Sequence, residues 1–256
     1  MRTKIEVRNV WKSFGSGKDR LPVVEGVSLN VGDGEFVAIV GPSGCGKTTL
    51  MNMIAGFIRP DQGSIMIDGI ERTKPDSKGI LISQLGSVFP WLTVQKNLMF
   101  GLNGHAQPDK AGLADHYAAI VGLKGFENSY PHELSGGMLK RAELARALVV
   151  KPEILYMDEP FSALDALMSL RMRGELLRIL SEERHTVLLI THDVEEAIHM
   201  ADRVVVLSPR PTKIQATFEV KLPRPRDVTS HAVQELRLAV LRELGAGDRS
   251  PAAEVA

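Results

Sequence analysis

The stretch Gly41-Pro42-Ser43-Gly44-Cys45-Gly46-Lys47-Thr48-Thr49 decides how this chain is read. The apolar run Phe36-Val37-Ala38-Ile39-Val40 precedes it, and a helix-compatible segment from Leu50 to Ala55 follows. Strand, glycine-rich loop and helix, in that order, are the context in which a G-x-x-x-x-G-K-[ST] match marks a phosphate site. Glycines let backbone N–H groups turn inward, and the helix N-terminus adds positive potential. In such a loop Lys47 reaches the β- and γ-phosphates and the Thr48 hydroxyl holds Mg²⁺. The expected ligand is therefore a nucleoside triphosphate with Mg²⁺, held by residues 41–49.

Working outward, 256 residues leave room for one large domain or a core with a subdomain. The 31 Lys and Arg balance the 31 Asp and Glu, which argues against nucleic acid as the main partner. A single cysteine excludes an internal disulfide framework and fits a reducing cytosol. That cysteine, Cys45, lies in the phosphate loop, where a helix N-terminus would lower a thiol pKa. A small, inert filler is the plainer reading. Met1-Arg2-Thr3-Lys4 runs straight into a strand pattern, without the apolar core of a signal peptide. No apolar run approaches the roughly 18 residues that span a bilayer, so a role at the membrane has to be borrowed from a partner.

The N-terminal part reads as short strands: a loose alternation over Ile5, Val7 and Val10, a second strand over residues 23–31, and a third over 64–67 before Asp68-Gly69. These are expected to be antiparallel. From about residue 93 to 121 the pattern turns helical, with Pro108-Asp109 as a start signal and several glycines interrupting it. Residues 85–134 are expected to form an inserted, mostly helical subdomain, and a long helix should run from Ser135 to Val150. Strands at 154–157, 186–190 and 203–207 then alternate with helices at 165–182 and 194–200, the mark of βαβ units and a parallel sheet. A strand at 214–220, an extended basic segment ending at Arg226 and an amphipathic helix over 229–244 close the chain.

Ile154-Leu155-Tyr156-Met157-Asp158-Glu159 is an apolar strand ending in two acids. Ligands of open parallel sheets sit at the carboxyl ends of the strands. Asp158 suits the second shell of Mg²⁺, and Glu159 suits polarising the water that attacks the γ-phosphate. About twenty residues earlier, Leu134-Ser135-Gly136-Gly137 opens the long helix. A serine N-cap explains it in part; free amides, a hydroxyl and a helix dipole also suit an anion.

With these motifs in this order, the chain resembles the ATP-binding subunits of ABC transporters up to about Arg226. The resemblance implies an α/β fold: a P-loop ATPase core with a parallel sheet, an N-terminal antiparallel β subdomain and an inserted helical subdomain. Residues 1–226 would be the ATPase domain, and 227–256 a C-terminal helix and tail. It implies that Ser135, Gly136 and Gly137 dock on the γ-phosphate held by a second copy, in a homodimer enclosing two ATP molecules. Gln84 matches the glutamine that senses Mg²⁺ and the attacking water, and Asp165, in Ser162-Ala163-Leu164-Asp165, the segment that crosses the dimer interface. His192 matches the switch histidine at the γ-phosphate, and Phe14 the ring stacked on adenine. Glu159, His192 and Gln84 would carry catalysis, and Thr48, Gln84 and Asp158 would serve the metal. Met138 stands where the family usually has Gln after Ser-Gly-Gly, and Ser83 and Leu85 depart from the usual neighbours of the glutamine. Lys140 and Arg141 are expected to form a solvated helix face.

Three stretches, Pro90-Trp91-Leu92-Thr93-Val94, residues 161–167 and Leu222-Pro223-Arg224-Pro225-Arg226, look like the nitrate/sulfonate/taurine importer subfamily. That resemblance implies an ATPase peripheral to the cytoplasmic side of the cell membrane, working with transmembrane permease subunits and a solute-binding protein to import a small anionic solute. The region from Gln84 to Thr93 would dock on the permease, with Trp91 as an anchor if exposed. The rival readings are a phospholipid-trafficking ABC ATPase, which Met138 also suits, a soluble ABC-type ATPase outside transport, and a nucleotide-binding regulator.

Overall fold

The computed structural model describes residues 2–83, 86–102, 108–182 and 185–245. The chain divides into two compact units, Met1–Pro75 with Thr186–Ala256, and Asp76–His185.

The first unit opens with two long strands, β1 (Thr3–Phe14) and β2 (Leu21–Gly32), paired antiparallel. With β4 (Gln62–Ile67) and the two-residue β5 (Ile70–Glu71) they form an antiparallel sheet in the order β2-β1-β4-β5. Ile5, Val7, Val10, Val27, Leu29 and Val31 are buried while Arg8, Asn9, Gly26, Ser28 and Asn30 are exposed, as expected of a half-covered sheet. In the same unit β3 (Phe36–Val40) lies between β8 (Thr186–Ile190) and β9 (Arg203–Leu207), parallel to both. All five β3 residues and all five of β8 are buried, which explains why both read as unbroken apolar runs. Antiparallel β10 (Ile214–Glu219) pairs with β9. Helix α1 (Lys47–Ala55) follows the glycine-rich loop, α6 (Val194–Met200) packs on β3 and β9, and α7 (His231–Glu243) packs on α6 and β10.

The second unit holds the parallel pair β6 (Gly79–Ile82) and β7 (Ile154–Asp158). The unit also holds α2 (Val94–Phe100), α3 (Lys110–Ile120), α4 (Gly136–Leu148) and α5 (Ala166–Glu182); α4 packs on β6, and α2 and α3 pack on α4. Asn97, fully buried, ties the turn before α2 together: its side-chain amide donates to the carbonyls of Phe89, Leu92 and Thr93, and its Oδ1 accepts from the Phe89 N–H. Asp109 caps α3 at the start signal read from the sequence, accepting from the Gly112 N–H at 2.8 Å. Strand β6 has no counterpart among the expected elements. Gly79 opens it, where a Cβ would stand 2.6 Å from the Tyr156 ring, so packing against β7 requires a residue that strand propensity disfavours.

Candidate functional site

In the first unit, β3 delivers the chain into the loop at Gly41. A Cβ there would lie 3.1 Å from the Leu207 Cβ, and one on Gly46 would lie 2.8 Å from Val23 Cγ1. Gly44 and Gly46 have φ of 71° and 120°, the region that side chains disfavour. Glycine at 41 and 46 thus lets the loop pack directly on Leu207, Val23 and Thr212. Its backbone is braced from outside, where Thr212 Oγ1 donates to the Cys45 carbonyl, and within, where the Cys45 N–H donates to the Pro42 carbonyl. Lys47 is buried, with its Nζ donating to the carbonyls of Gly41 at 2.8 Å and Pro42 at 2.9 Å. No side chain caps α1, so its first-turn amides face the loop, which is the arrangement that receives an anion. Ser43, Gly44 and Thr48 are exposed, Thr49 is half-buried, and Cys45 is buried against Gly41.

His192 follows β8 in the same unit. The Thr191 N–H donates to the Ile39 carbonyl at 3.2 Å, so His192 leaves the sheet at the same edge as the phosphate loop. Asp193 caps α6, accepting from the N–H groups of Glu195 and Glu196, and Thr191 Oγ1 donates to the buried Glu196 while accepting from the Asp193 N–H. The His192 ring is exposed. Phe14 ends β1 with 42% of its surface exposed and Lys12 Nζ 5.6 Å from its ring centroid.

In the second unit Asp158 ends β7 and is buried, while Glu159 is half-exposed with φ 49°. A glutamate held in the left-handed region carries strain, and such residues cluster at functional sites. The following turn closes on its carbonyl, which accepts from the Ser162 N–H and hydroxyl. Ser135 and Gly136 are exposed, and Ser135 caps α4 by accepting from the Met138 N–H at 3.3 Å. Asp165 caps α5 through the Met168 N–H. A Cβ on Gly137 would stand 3.4 Å from Leu164, so the Ser-Gly-Gly turn and the 162–165 segment lie side by side. Gln84 and Leu85 lie outside the described residues.

One expectation fails. Lys140 and Arg141 are not a solvated helix face. Lys140 is 6% exposed, and its Nζ donates to Glu143 Oε2 at 2.8 Å and to the Ser83 carbonyl at 2.8 Å. Glu143, 2% exposed, accepts from the N–H and hydroxyl of Ser87, which in turn accepts from Arg146. Arg141 donates to the Val121 and Gly122 carbonyls; burial lowers its pKa, opposed by Asp165. Opposite charges three residues apart on one helix are the signal that could have exposed the Lys140–Glu143 pair.

The family model for ABC transporters matches residues 24–162. An uncharacterized ABC transporter ATP-binding protein of Methanocaldococcus jannaschii is 42% identical over 246 residues, 95% of this chain and 92% of its own length. This chain is an ABC transporter ATPase. The aliphatic sulfonates import ATP-binding protein SsuB of Bacillus cereus is 40% identical over 243 residues, covering 95% of this chain and 96% of SsuB. Among solved structures, a dimeric ATP-binding cassette in a post-hydrolysis state bound to ADP and Pi superposes with a TM-score of 0.76 at 28% identity, over 86% of this chain and all of that one. The P-loop core, antiparallel β part and helical part expected of an ABC ATPase are thus the fold observed.

The buried pair of this ABC ATPase is testable. Glu143→Ala, which leaves the buried Lys140 ammonium without its carboxylate and the Ser87 N–H without its acceptor, should destabilise the protein by about 3 kcal/mol in urea unfolding. Glu143→Gln, which keeps an acceptor for Ser87, should cost less.

Proposed function

We propose that this chain powers the import of a small anionic solute of the sulfonate kind, working as a homodimer bound to membrane-embedded permease subunits. The observation that carries this reading is its 40% identity to a sulfonate-import ATPase over nearly the full length of both chains. The family membership supports the ATPase; the likeness to SsuB supports the direction and solute class proposed here. A solute-binding protein outside the membrane completes the system in this reading, and the dimer sits peripherally on the cytoplasmic face. No helix among the described residues is long and apolar enough to cross a membrane, which accords with permease subunits supplying the channel.

ATP would be held by the residue 41–49 loop, with Lys47 and the α1 amides on its phosphates and Phe14 against the adenine. The Thr48 hydroxyl and the Asp158 and Gln84 side chains would serve Mg²⁺, whose chemistry when bound is to neutralise charge on the phosphate oxygens. Glu159 orients and polarises the attacking water, and His192 contacts the γ-phosphate. The exposed Ser135 and Gly136, with Gly137 and Asp165 beside them, would close over the ATP of the second copy. Sandwich closure with ATP and opening after hydrolysis pass motion to the permease.

Docking on the permease is supported by the second unit. Trp91 is 69% exposed, with its ring 5.4 Å from Phe89, which stacks edge-on to Phe100 at 4.6 Å. An exposed tryptophan braced by other rings is a typical interface anchor. Beside it, Phe89, Phe100, Glu143 and Arg146 line a cavity of about 320 Å³. Arg146 stands over the Phe89 ring.

Replacing the Glu159 carboxylate with an amide should cut ATP turnover by at least about 100-fold while ATP still binds, so that light scattering finds an ATP-dependent dimer; wild-type turnover by Glu159→Gln would place the base elsewhere. Lys47→Ala should weaken ATP binding by at least about tenfold in titration calorimetry, and unchanged affinity would remove the loop as the phosphate site. Reconstituted in liposomes with its permease and binding protein, the complex should take up an alkanesulfonate on ATP addition. Uptake of neutral solutes in its place would overturn the solute class.

A further inference from the structure

The basic, proline-rich run Leu222-Pro223-Arg224-Pro225-Arg226 reads from the sequence as a plain extended linker, but it folds back onto the end of α6. Arg226 is 6% exposed, and its guanidinium donates to five backbone carbonyls. Nη1 reaches Ile198 and Ala201, both at 2.6 Å, and His199 at 3.3 Å. Nη2 reaches Val220 at 3.2 Å, and Nε reaches Leu222 at 3.1 Å. Arg224 donates to the Met200 carbonyl at 2.5 Å and pairs with Asp202 at 2.7 Å. The last carbonyls of a helix have no partners within it and carry its negative pole. Here a buried cation supplies both donors and charge. Burial and the neighbouring Arg224 push the Arg226 pKa down to about 10, which still leaves a cation at neutral pH.

The clamp continues into the sheet. Asp202 accepts from the Phe36 N–H at 2.9 Å and donates its own N–H to the Phe36 carbonyl at 2.7 Å. Phe36 opens β3, the strand that ends at the phosphate loop. So the C-terminal end of α6 is fastened to the start of β3. The N-terminal end of α6, seven residues or roughly 10 Å away along its axis, begins at its Asp193 cap, next to His192. A helix this short moves as a rigid piece, and its two ends are held by different groups: Asp193 and the Thr191–Glu196 hydrogen bond at one, Arg226 at the other.

We propose that Arg226 is a positioning residue for ATP hydrolysis: by gripping the C-terminal carbonyls of α6, the end that Arg224 and Asp202 join to β3, it fixes where His192 stands at the edge of the sheet. This rests on the reading that His192 contacts the γ-phosphate. Arginine suits the task because its planar fork presents five N–H donors in fixed directions; lysine has three on one rotating point and would hold only part of the fan.

The test is steady-state ATPase kinetics on the full chain at a temperature well below unfolding. Arg226→Ala should lower kcat on the order of tenfold, the scale of a small misplacement of a catalytic group, with KM for ATP within about twofold. Arg226→Lys should recover part of the loss, and it remains informative if the alanine variant does not fold. Val240→Ala, which opens a cavity at a fully buried position of α7, serves as the stability control: it should lower the melting temperature yet leave kcat in place. In a His192→Ala background, single-turnover rates should show no further loss on adding Arg226→Ala. Four results would overturn the proposal: unchanged kcat in Arg226→Ala and Arg226→Lys, equal loss of kcat in Val240→Ala, multiplicative losses in the double variant, or His192→Ala turning over at the wild-type rate. The last would remove the role of His192 itself, whereas a slow His192→Ala beside a full-speed Arg226→Ala would remove only the clamp.

Discussion

β3 is hydrogen-bonded along both edges by strands that run its own way, and the phosphate loop depends on that constraint. Parallel pairing with β8 and β9 brings three strand ends to one edge of the sheet, so that Gly41, Thr191 and Leu207 leave it together. The loop then has nowhere to expand. Leu207 crowds Gly41, while Val23 and Thr212 crowd Gly46. Thr212 is itself fixed, since its N–H donates to the Val23 carbonyl and its carbonyl accepts from the Glu25 N–H. The long strand β2 therefore reaches past its own sheet to brace the glycine-rich loop. A loop boxed in this way keeps its amides pointing inward without help from a ligand, and pre-organised donors are what make an anion site strong.

Burying charge is costly unless each charged group is paired and hydrogen-bonded. Two sites in this protein offset that cost by different means. Lys140 and Glu143 answer each other, and their remaining hydrogen bonds go to Ser83 and Ser87, so α4 holds both flanks of the stretch that contains Gln84. Arg226 is hydrogen-bonded by carbonyls alone, with no carboxylate among its acceptors. That solution suits a helix C-terminus, where carbonyls converge and the dipole adds negative potential. In both cases the charges fasten backbone segments rather than lie on the surface, and for that reason a count of charged residues says nothing about them.

Much of the fold was legible because its signals are local. Unbroken apolar runs marked β3, β8 and β9, and β8, β9 and α6 have the bounds expected from the sequence. Asp109 announced α3 by its capping chemistry. The ABC resemblance was equally legible, because Gly41 to Thr49, Ser135 to Gly137 and Asp158-Glu159 are contiguous motifs in fixed order. What stayed hidden depends on distant partners. β6 begins with a glycine whose reason is the Tyr156 ring, far along the sequence. Lys140 looked solvated because the groups that bury it, Ser83 among them, sit in another segment. Arg226 resembled a linker residue because its five acceptors are backbone atoms, which leave no trace in the side-chain pattern. Trp91 was readable as a motif, but its exposure was not.

The departure at position 138 shows where the family pattern constrains chemistry and where it does not. Ser135 caps α4 by accepting from the backbone N–H of Met138, and any residue except proline supplies that N–H. Replacing the usual glutamine with methionine therefore leaves the cap, the Ser-Gly-Gly turn and the dipole of α4 as they are. The cost falls on the side chain, which loses two donors and an acceptor and gains a flexible apolar arm. Glu159 is the opposite case. Its φ of 49° is disfavoured for any side chain, and glycine would relieve the strain while removing the carboxylate. If Glu159 has the role proposed for it, the carboxylate is what position 159 must keep, whereas backbone geometry alone suffices at 138; the two positions would then differ in tolerance, though both belong to the motifs that carry the resemblance.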